Sequence, residues 1–242
     1  MTSRIVEVRQ HVLKKNDVLA RELRARFEAA GVCVVSLVSS PGSGKTTLLE
    51  QTLRALAPTS RVAALVGDLA TARDADRLKR AGVPVRQITT GTVCHLDASM
   101  VDSALDGWDL QALDFLFVEN VGNLVCPASY DLGECLRVVL LSVTEGEDKP
   151  LKYPTIFNTA DLAVITKVDL TAAVDFNREE VVRNLDELRP GLEVLDVSAR
   201  SGAGMPAWLA RLHTARRNSV ASGDARLVRD FDLSEDGVPD RL

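Results

Sequence analysis

The chain has 242 residues, 46% hydrophobic and 26% charged, which is long enough to bury a full core and ordinary for a soluble globular protein. Its 29 basic and 34 acidic residues are well mixed and leave a net charge of −5, which argues against nucleic acid or a membrane surface as partner. Four widely spaced cysteines, Cys33, Cys94, Cys126 and Cys135, are no disulfide framework; with no signal-peptide pattern and no apolar run of membrane-spanning length, a reducing cytoplasm is expected.

Along the chain, 1–31 reads as a charged helical segment packed on the domain that follows. Asn16 or Asp17 can cap it, Leu19, Leu23 and Phe27 share one face, and Gly31 can end it. Cys33–Ser39 then reads as a buried strand, and a helix runs from Lys45 to about Ala57 with Leu49, Leu53 and Leu56 on one side. Strand-like runs recur at Val62–Val66, Val83–Ile88, Phe115–Val118, Val138–Val143, Leu162–Ile165 and Leu192–Val197. Helical patterns lie between many of them, notably Asp74–Ala81, Asn177–Leu188 and Met205–Ala215. This alternation predicts an α/β fold over 32–216, a mainly parallel sheet with helices on both faces. Periodicity fades after Arg217, so 217–242 is expected to be a mobile tail.

Between the first strand and its helix lies Ser39-Ser-Pro41-Gly42-Ser43-Gly44-Lys45-Thr46, with Thr47 following. This strand–loop–helix context is what a P-loop requires: consecutive amides and a helix N-terminus cradle phosphates, Lys45 adds charge, and Thr46 offers Mg²⁺ a hydroxyl. The usual first glycine is Ser39, so a side chain must fit the turn there. Asp68 and Glu119 end strand signals and are candidates for the same Mg²⁺ and for catalysis with Lys45; a helix cap and a solvated loop are the plainer alternatives.

Thr166-Lys167-Val168-Asp169 closes another strand. A carboxylate there accepts hydrogen bonds from guanine N1–H and the 2-amino group, which adenine cannot supply, so Asp169 would select GTP and GDP. Downstream, Asp196-Val-Ser198-Ala199-Arg200 resembles the backbone motif that contacts guanine O6. Cys94 and His95 are adjacent, and Cys126 trails the Glu119–Gly122 segment, an expected γ-phosphate sensor. Two thiolates and an imidazole suit Ni²⁺ or Zn²⁺, although free cysteines are more often small buried hydrophobes. Cys33 in a strand and Cys135 in a helical stretch read as core, and His11 and His213 as solvated.

Together SSPGSGKT, GDLATARDADR, TGTVCHLDASMV, FVENVGNLVCPASYDLGE, LLSVTEGEDKPLKYP, DLAVITKVDL and DVSARSGAG resemble HypB, the nickel-insertion GTPase family of NiFe-hydrogenase maturation, over roughly 16–215. The related urease accessory GTPase shares the P-loop and guanine motif but has a Cys-Pro-His string where this chain has Cys126-Pro-Ala. The resemblance implies a P-loop NTPase fold of the SIMIBI type and slow hydrolysis of GTP to GDP. It also implies a GTP-dependent homodimer whose interface carries a metal site of Cys94, His95 and Cys126. A HypA-type metallochaperone and the hydrogenase large subunit are the implied partners in nickel handover. The opening MTSRIVEVRQH has neither the N-terminal cysteine motif nor the histidine-rich stretch of some members, so nickel storage is not expected. A urease-type accessory GTPase, or a metal-binding scaffold that uses nucleotide only structurally, is the alternative reading.

Overall fold

A computed structural model describes residues 2–68 and 73–232, with 2–10 and 222–232 traced as backbone alone. Its elements in order are α1 (Thr2–Ala30), β1 (Cys33–Ser39), α2 (Lys45–Leu56), β2 (Val62–Asp68), α3 (Arg73–Lys79), β3 (Val85–Thr89), α4 (Ala98–Ala104) and β4 (Phe115–Glu119). Then come β5 (Leu136–Ser142), α5 (Lys149–Lys152), α6 (Pro154–Thr159), β6 (Leu162–Thr166), α7 (Arg178–Leu188), β7 (Glu193–Val197) and α8 (Met205–Asp232). The seven strands form one parallel sheet in the order β3-β2-β4-β1-β5-β6-β7. Each strand expected from the sequence is present, shifted by at most two residues at an end.

Strand periodicity divides the core. Cys33, Val35 and Leu37 of β1 face the layer of α2 and α8, where Leu49, Leu53, Leu56, Trp208 and Leu212 are buried. Val34 faces the opposite layer, with Leu23 and Phe27 of α1 and Val101 of α4. Trp208 is fully buried, and its indole Nε1–H donates to Thr52 Oγ1 at 2.8 Å, so the large ring enters the core without an unpaired donor.

Several local expectations are corrected. Asn16 does not cap α1; it lies within the helix and is buried, donating Nδ2–H to the Asp131 carbonyl at 2.9 Å and accepting the Ala98 amide at 2.9 Å. It helps satisfy the open amide end of α4, which Asp97 also caps through the Met100 amide. Cys135 sits in the approach to β5, not in a helix, because its amide already pairs with the Val34 carbonyl of β1. His213 is half-buried with its ring edge-on to Phe115, since the face of α8 that carries it turns toward the sheet. Regular helix extends through Asp232, past the expected end at Ala215, so 217–232 keeps helical backbone despite its weak periodicity. Residues 69–72 of the GDLATARDADR stretch and 233–242 of the expected tail lie outside the described residues. Among those described, no helix is long and apolar enough to cross a membrane.

The order of strands fixes where chemistry can occur. After β1 the chain passes over to β2 and β3, returns to place β4 beside β1, and then builds outward through β5, β6 and β7. Loops at the carboxyl ends of β1, β2 and β4 therefore converge on one part of the crevice, while those of β6 and β7 converge on the adjoining part.

Candidate functional site

Gly44, at φ 98, occupies the left-handed region as the N-cap of α2, a conformation that a side chain would resist. Ser39 needs no such freedom: it is the buried last residue of β1, and Lys167 is the only non-glycine with positive φ among the described residues. That explains why a serine is tolerated where the usual pattern has glycine. Its hydroxyl accepts from Lys45 Nζ at 2.9 Å and from Ser43 Oγ, and donates to the Ser40 carbonyl at 2.8 Å. Burial pushes the Lys45 ammonium down from its ordinary value, opposed by the nearby Glu119.

Glu119 ends β4 and Asp68 ends β2, and both line a crevice of about 490 Å³ with Lys45 and Thr46. Thr46 Oγ1 donates to Glu119 Oε1 at 2.6 Å. Burial pushes the Glu119 carboxyl up to about 7 despite Lys45 and Thr46, and its Oε2 is buried with no hydrogen-bond partner among the described residues. Gly122 sits against the P-loop: a Cβ there would lie 3.1 Å from Pro41 Cα. Asp74 and Arg77 of α3 also face this crevice; both lie in the GDLATARDADR segment, but no role is expected of them from the sequence.

An adjoining pocket of about 200 Å³ lies between the loops after β6 and β7, lined among others by Leu48, Thr166, Asp169, Ser198, Ala199 and Arg200. Asp169 Oδ1 accepts from Ser198 Oγ at 2.5 Å, which holds the carboxylate toward the pocket. Two bonds tie this corner to the P-loop. Thr166 Oγ1 donates to the Ser43 carbonyl at 2.6 Å, and Lys167 Nζ to the Gly42 carbonyl at 2.7 Å. Lys167 adopts φ 58, a local strain held by that cross-loop bond, as befits a residue that must span two loops. Gly44, Thr47 and Lys167 line both pockets, so the two form one continuous crevice.

Cys94, His95 and Cys126 come together, their ligand atoms all within 4.8 Å of one another. Cys94 and Cys126 Sγ are 2.8 Å apart, and each residue of the trio is partly exposed. Burial lowers the His95 imidazole from its ordinary value, favouring the neutral, ligating form. Its Nδ1 is buried without a hydrogen-bond partner among the described residues, and its ring lies 4.0 Å from that of Tyr130, centroid to centroid. Soft thiolates beside a neutral imidazole are a donor set for a late divalent metal.

The metal-type cluster is joined to the phosphate crevice by Asn120, the residue after Glu119. Buried at 2% exposure, it donates its amide to the Leu37 carbonyl of β1 at 3.0 Å. Its Oδ1 accepts the Leu96 amide at 3.0 Å and the Val121 amide at 2.9 Å. Leu96, next to His95, also packs on Gly67: a Cβ at Gly67 would lie 2.8 Å from Leu96 Cγ. Asn120 and Tyr130 lie in the FVENVGNLVCPASYDLGE segment, but neither is expected from the sequence to have a role. An asparagine in a strand-following loop is common, and nothing local tells that its carbonyl spans to a segment 24 residues earlier.

Comparison with known proteins shows which family this chain resembles. Residues 33–196 match the family profile described as "CobW/HypB/UreG, nucleotide-binding domain". The chain is 51% identical over 216 residues to the hydrogenase maturation factor HypB of Azotobacter chroococcum, covering 88% of this chain and 70% of that protein. It is 44% identical over 204 residues to the hydrogenase/urease maturation factor HypB of Helicobacter pylori, covering 83% of this chain and 84% of that one. Among solved structures, HypB from Helicobacter pylori in complex with nickel superposes with a TM-score of 0.80 at 42% identity, covering 85% of this chain and 97% of that one. HypB from Archaeoglobus fulgidus gives a TM-score of 0.78 at 36% identity, over 84% of this chain and 99% of that one. A parallel sheet with a phosphate loop after its central strand, a Cys/His cluster beside it and half the residues shared with a HypB lead to one assignment: this chain belongs to the CobW/HypB/UreG family of nucleotide-binding proteins, as a hydrogenase maturation factor of the HypB kind.

Proposed function

We propose that this protein hydrolyses GTP to GDP and phosphate, and uses the nucleotide state to set the affinity of a nickel site during NiFe-hydrogenase maturation. The observation that carries this reading is the buried carboxamide of Asn120, bonded to the cysteine–histidine loop and following directly on Glu119.

In this reading the amides of Pro41–Thr47 and the Lys45 ammonium hold the phosphates, and Lys45 leaves the Ser39 hydroxyl to do so. Asp169 accepts from guanine N1–H and the 2-amino group, Ser198 and Ala199 meet the O6 edge, and Lys167 lies along the base with Thr166 beneath. Thr46, Asp68 and Glu119 are hard-oxygen donors around one crevice, and the unpaired Glu119 Oε2 fits a cation, so these residues would hold Mg²⁺. When bound, Mg²⁺ neutralises charge on the β- and γ-phosphates. Asp68 orients the attacking water; among the described residues no glutamine lines the crevice for that task, in keeping with slow turnover.

Nickel is the cargo, with Zn²⁺ as a competing occupant of Cys94, His95 and Cys126. Three ligands leave room for water or for a residue of a second copy, and Val125, 62% exposed beside Cys126, is suited to an interface between copies. A GTP-dependent homodimer, a HypA-type nickel chaperone as donor and the hydrogenase large subunit as recipient complete the scheme, in the cytoplasm. γ-Phosphate contacts at Glu119–Gly122 shift Asn120, and with it the Leu96 amide and the thiolate loop. Linkage requires the reverse as well: nickel changes nucleotide affinity by the same factor.

The test is titration of nickel into the protein loaded with GDP or with a non-hydrolysable GTP analogue, beside phosphate release under multiple turnover. Unequal nickel affinities and turnover abolished by Lys45→Ala are expected. Equal affinities would end the coupling, and phosphate release unchanged in Lys45→Ala would leave a metal-binding scaffold with nucleotide as a structural part.

A further inference from the structure

The other two cysteines lie at the opposite end of the strands from the crevice. Cys33 opens β1 and is fully buried; Cys135 is exposed and immediately precedes β5, with its amide donating to the Val34 carbonyl at 2.9 Å. Although 102 residues apart in sequence, their sulfurs approach to 2.7 Å. An exposed cysteine is not explained as core packing, and a sulfur held against a second sulfur is not explained as a surface accident. Nor do the two make a metal site: among the described residues, the only cluster of three or more ligating groups is Cys94, His95 and Cys126.

We infer that Cys33 and Cys135 are a redox modification site, in which Cys135 reacts with a peroxide-class oxidant and Cys33 completes a disulfide that ties β1 to β5. Cys135 borders a groove of about 370 Å³ beside Arg24 and Arg211, so a small polar oxidant has access. Their difference in exposure divides their roles. Cys135 is reached from the groove and meets the oxidant first, whereas Cys33, buried against it, is placed to act as the resolving thiol. In the first step the Cys135 thiolate attacks one peroxide oxygen, the O–O bond breaks, and with one proton taken up the products are a Cys135 sulfenic acid and water. In the second, Cys33 sulfur displaces the hydroxyl of that sulfenic acid; its thiol proton leaves with the hydroxyl as a second water, and the S–S bond forms. The thiols lose two protons and two electrons in all, taken up by the peroxide.

Because the pair lies away from the P-loop, nucleotide binding is expected to survive oxidation. The experiment uses the full chain with Cys94→Ser and Cys126→Ser, leaving Cys33 and Cys135 as the only thiols of the four. After hydrogen peroxide, the intact mass is expected to fall by about 2 Da, with no iodoacetamide adducts on the denatured protein and two adducts recovered after dithiothreitol. The thermal midpoint is expected to rise on oxidation and to return on reduction. Two adducts still forming after peroxide, or a gain of about 32 Da from sulfinic acid, would overturn the site. If the double variant does not fold, peptide mapping of the oxidised wild type decides the matter by presence or absence of a Cys33–Cys135 cross-linked peptide. A Cys33→Ala variant supplies the second arm: dimedone is expected to trap a sulfenic acid at Cys135, and failure to label there would overturn Cys135 as the attacking group.

Discussion

The Asp169 corner of the crevice and its Cys94–His95–Cys126 corner are built differently. Asp169 and Ser198 lie on the loops of neighbouring strands β6 and β7, and further bonds from Thr166 and Lys167 fasten that corner to the P-loop. The cysteine corner joins loops whose cysteines are 32 residues apart, and its Cys94–His95 loop is held by the Leu96 amide on Asn120, the Leu96 side chain on Gly67 and the His95 ring against Tyr130. A corner fastened on several sides is a preformed receptor. In the proposed coupling, the cysteine corner, tied to the phosphate crevice through Asn120, is the part that would answer to nucleotide state.

The sharpest way to break this comparison is at the base. Asp169→Asn keeps the shape but loses the charged acceptor for two guanine donors, so GTP affinity is expected to fall roughly hundredfold or more, read by competition with a fluorescent guanine nucleotide. ATP binding is expected to change little. Unchanged preference for GTP would remove Asp169 from the base site.

At the thiolate corner, Cys126→Ala removes a proposed ligand, and nickel affinity is expected to fall beyond the tenfold to roughly hundredfold typical of an outer-shell change. GTP affinity measured without nickel is expected to hold. Loss of both together would show that the corners are one rigid unit.

Asn120→Ala tests the link itself. It leaves the buried Leu96 amide unpaired, a destabilisation of about 1–3 kcal/mol by urea unfolding. The ratio of nickel Kd values between GDP and GTP-analogue forms is expected to move toward one. Gly67→Ala presses on the same leucine from the other side and is expected to cost about 1–3 kcal/mol as overpacking. An Asn120 variant that couples as well as wild type would shift the route to Cys126 and the segment before it.

The smallest effect lies outside both corners. Asp114 accepts from Arg61 Nη2 at 2.9 Å and Arg216 Nη2 at 2.6 Å, and the Arg61 hydrogen bonds hold its carboxyl below the usual carboxylate range. A carboxyl lowered by folding stabilises the native state above its unfolded pKa, and that contribution is lost as pH falls through the lower folded value. Asp114→Asn is therefore expected to lower the thermal midpoint modestly at pH 7 and to match wild type under strongly acidic conditions. A difference that persists undiminished in acid would assign the effect to packing.

Much of the fold and of the crevice is legible in the order of residues. The strands announce themselves as short buried runs between helical patterns, because a parallel sheet covered on both faces has apolar side chains on both sides of each strand. The P-loop and TKVD segments are legible as residue strings that follow strand signals, although the bonds of Thr166, Lys167 and Asp169 to Ser43, Gly42 and Ser198 appear only in the fold. Asn16 shows the limit. Its identity suggests a helix cap, whereas its carboxamide is spent within α1 on Ala98 and Asp131, and no local pattern distinguishes these uses. His213 and Cys135 escape a local reading for the same reason, since a partner such as Phe115 or Val34 is brought near only by folding.

The sequence by itself determined the alternation of strands and helices and the strand–loop–helix context of the Ser39–Thr46 and Thr166–Asp169 segments, because these rest on local patterns of residue type. Only the tertiary structure decided that Asn120 reaches the Leu96 amide, that Tyr130 lies against His95, and that Cys33 meets Cys135. Those meetings follow from strand order and the sharing of the core between layers, which bring distant segments together wherever burial of apolar surface is greatest and leave no periodic trace in the chain.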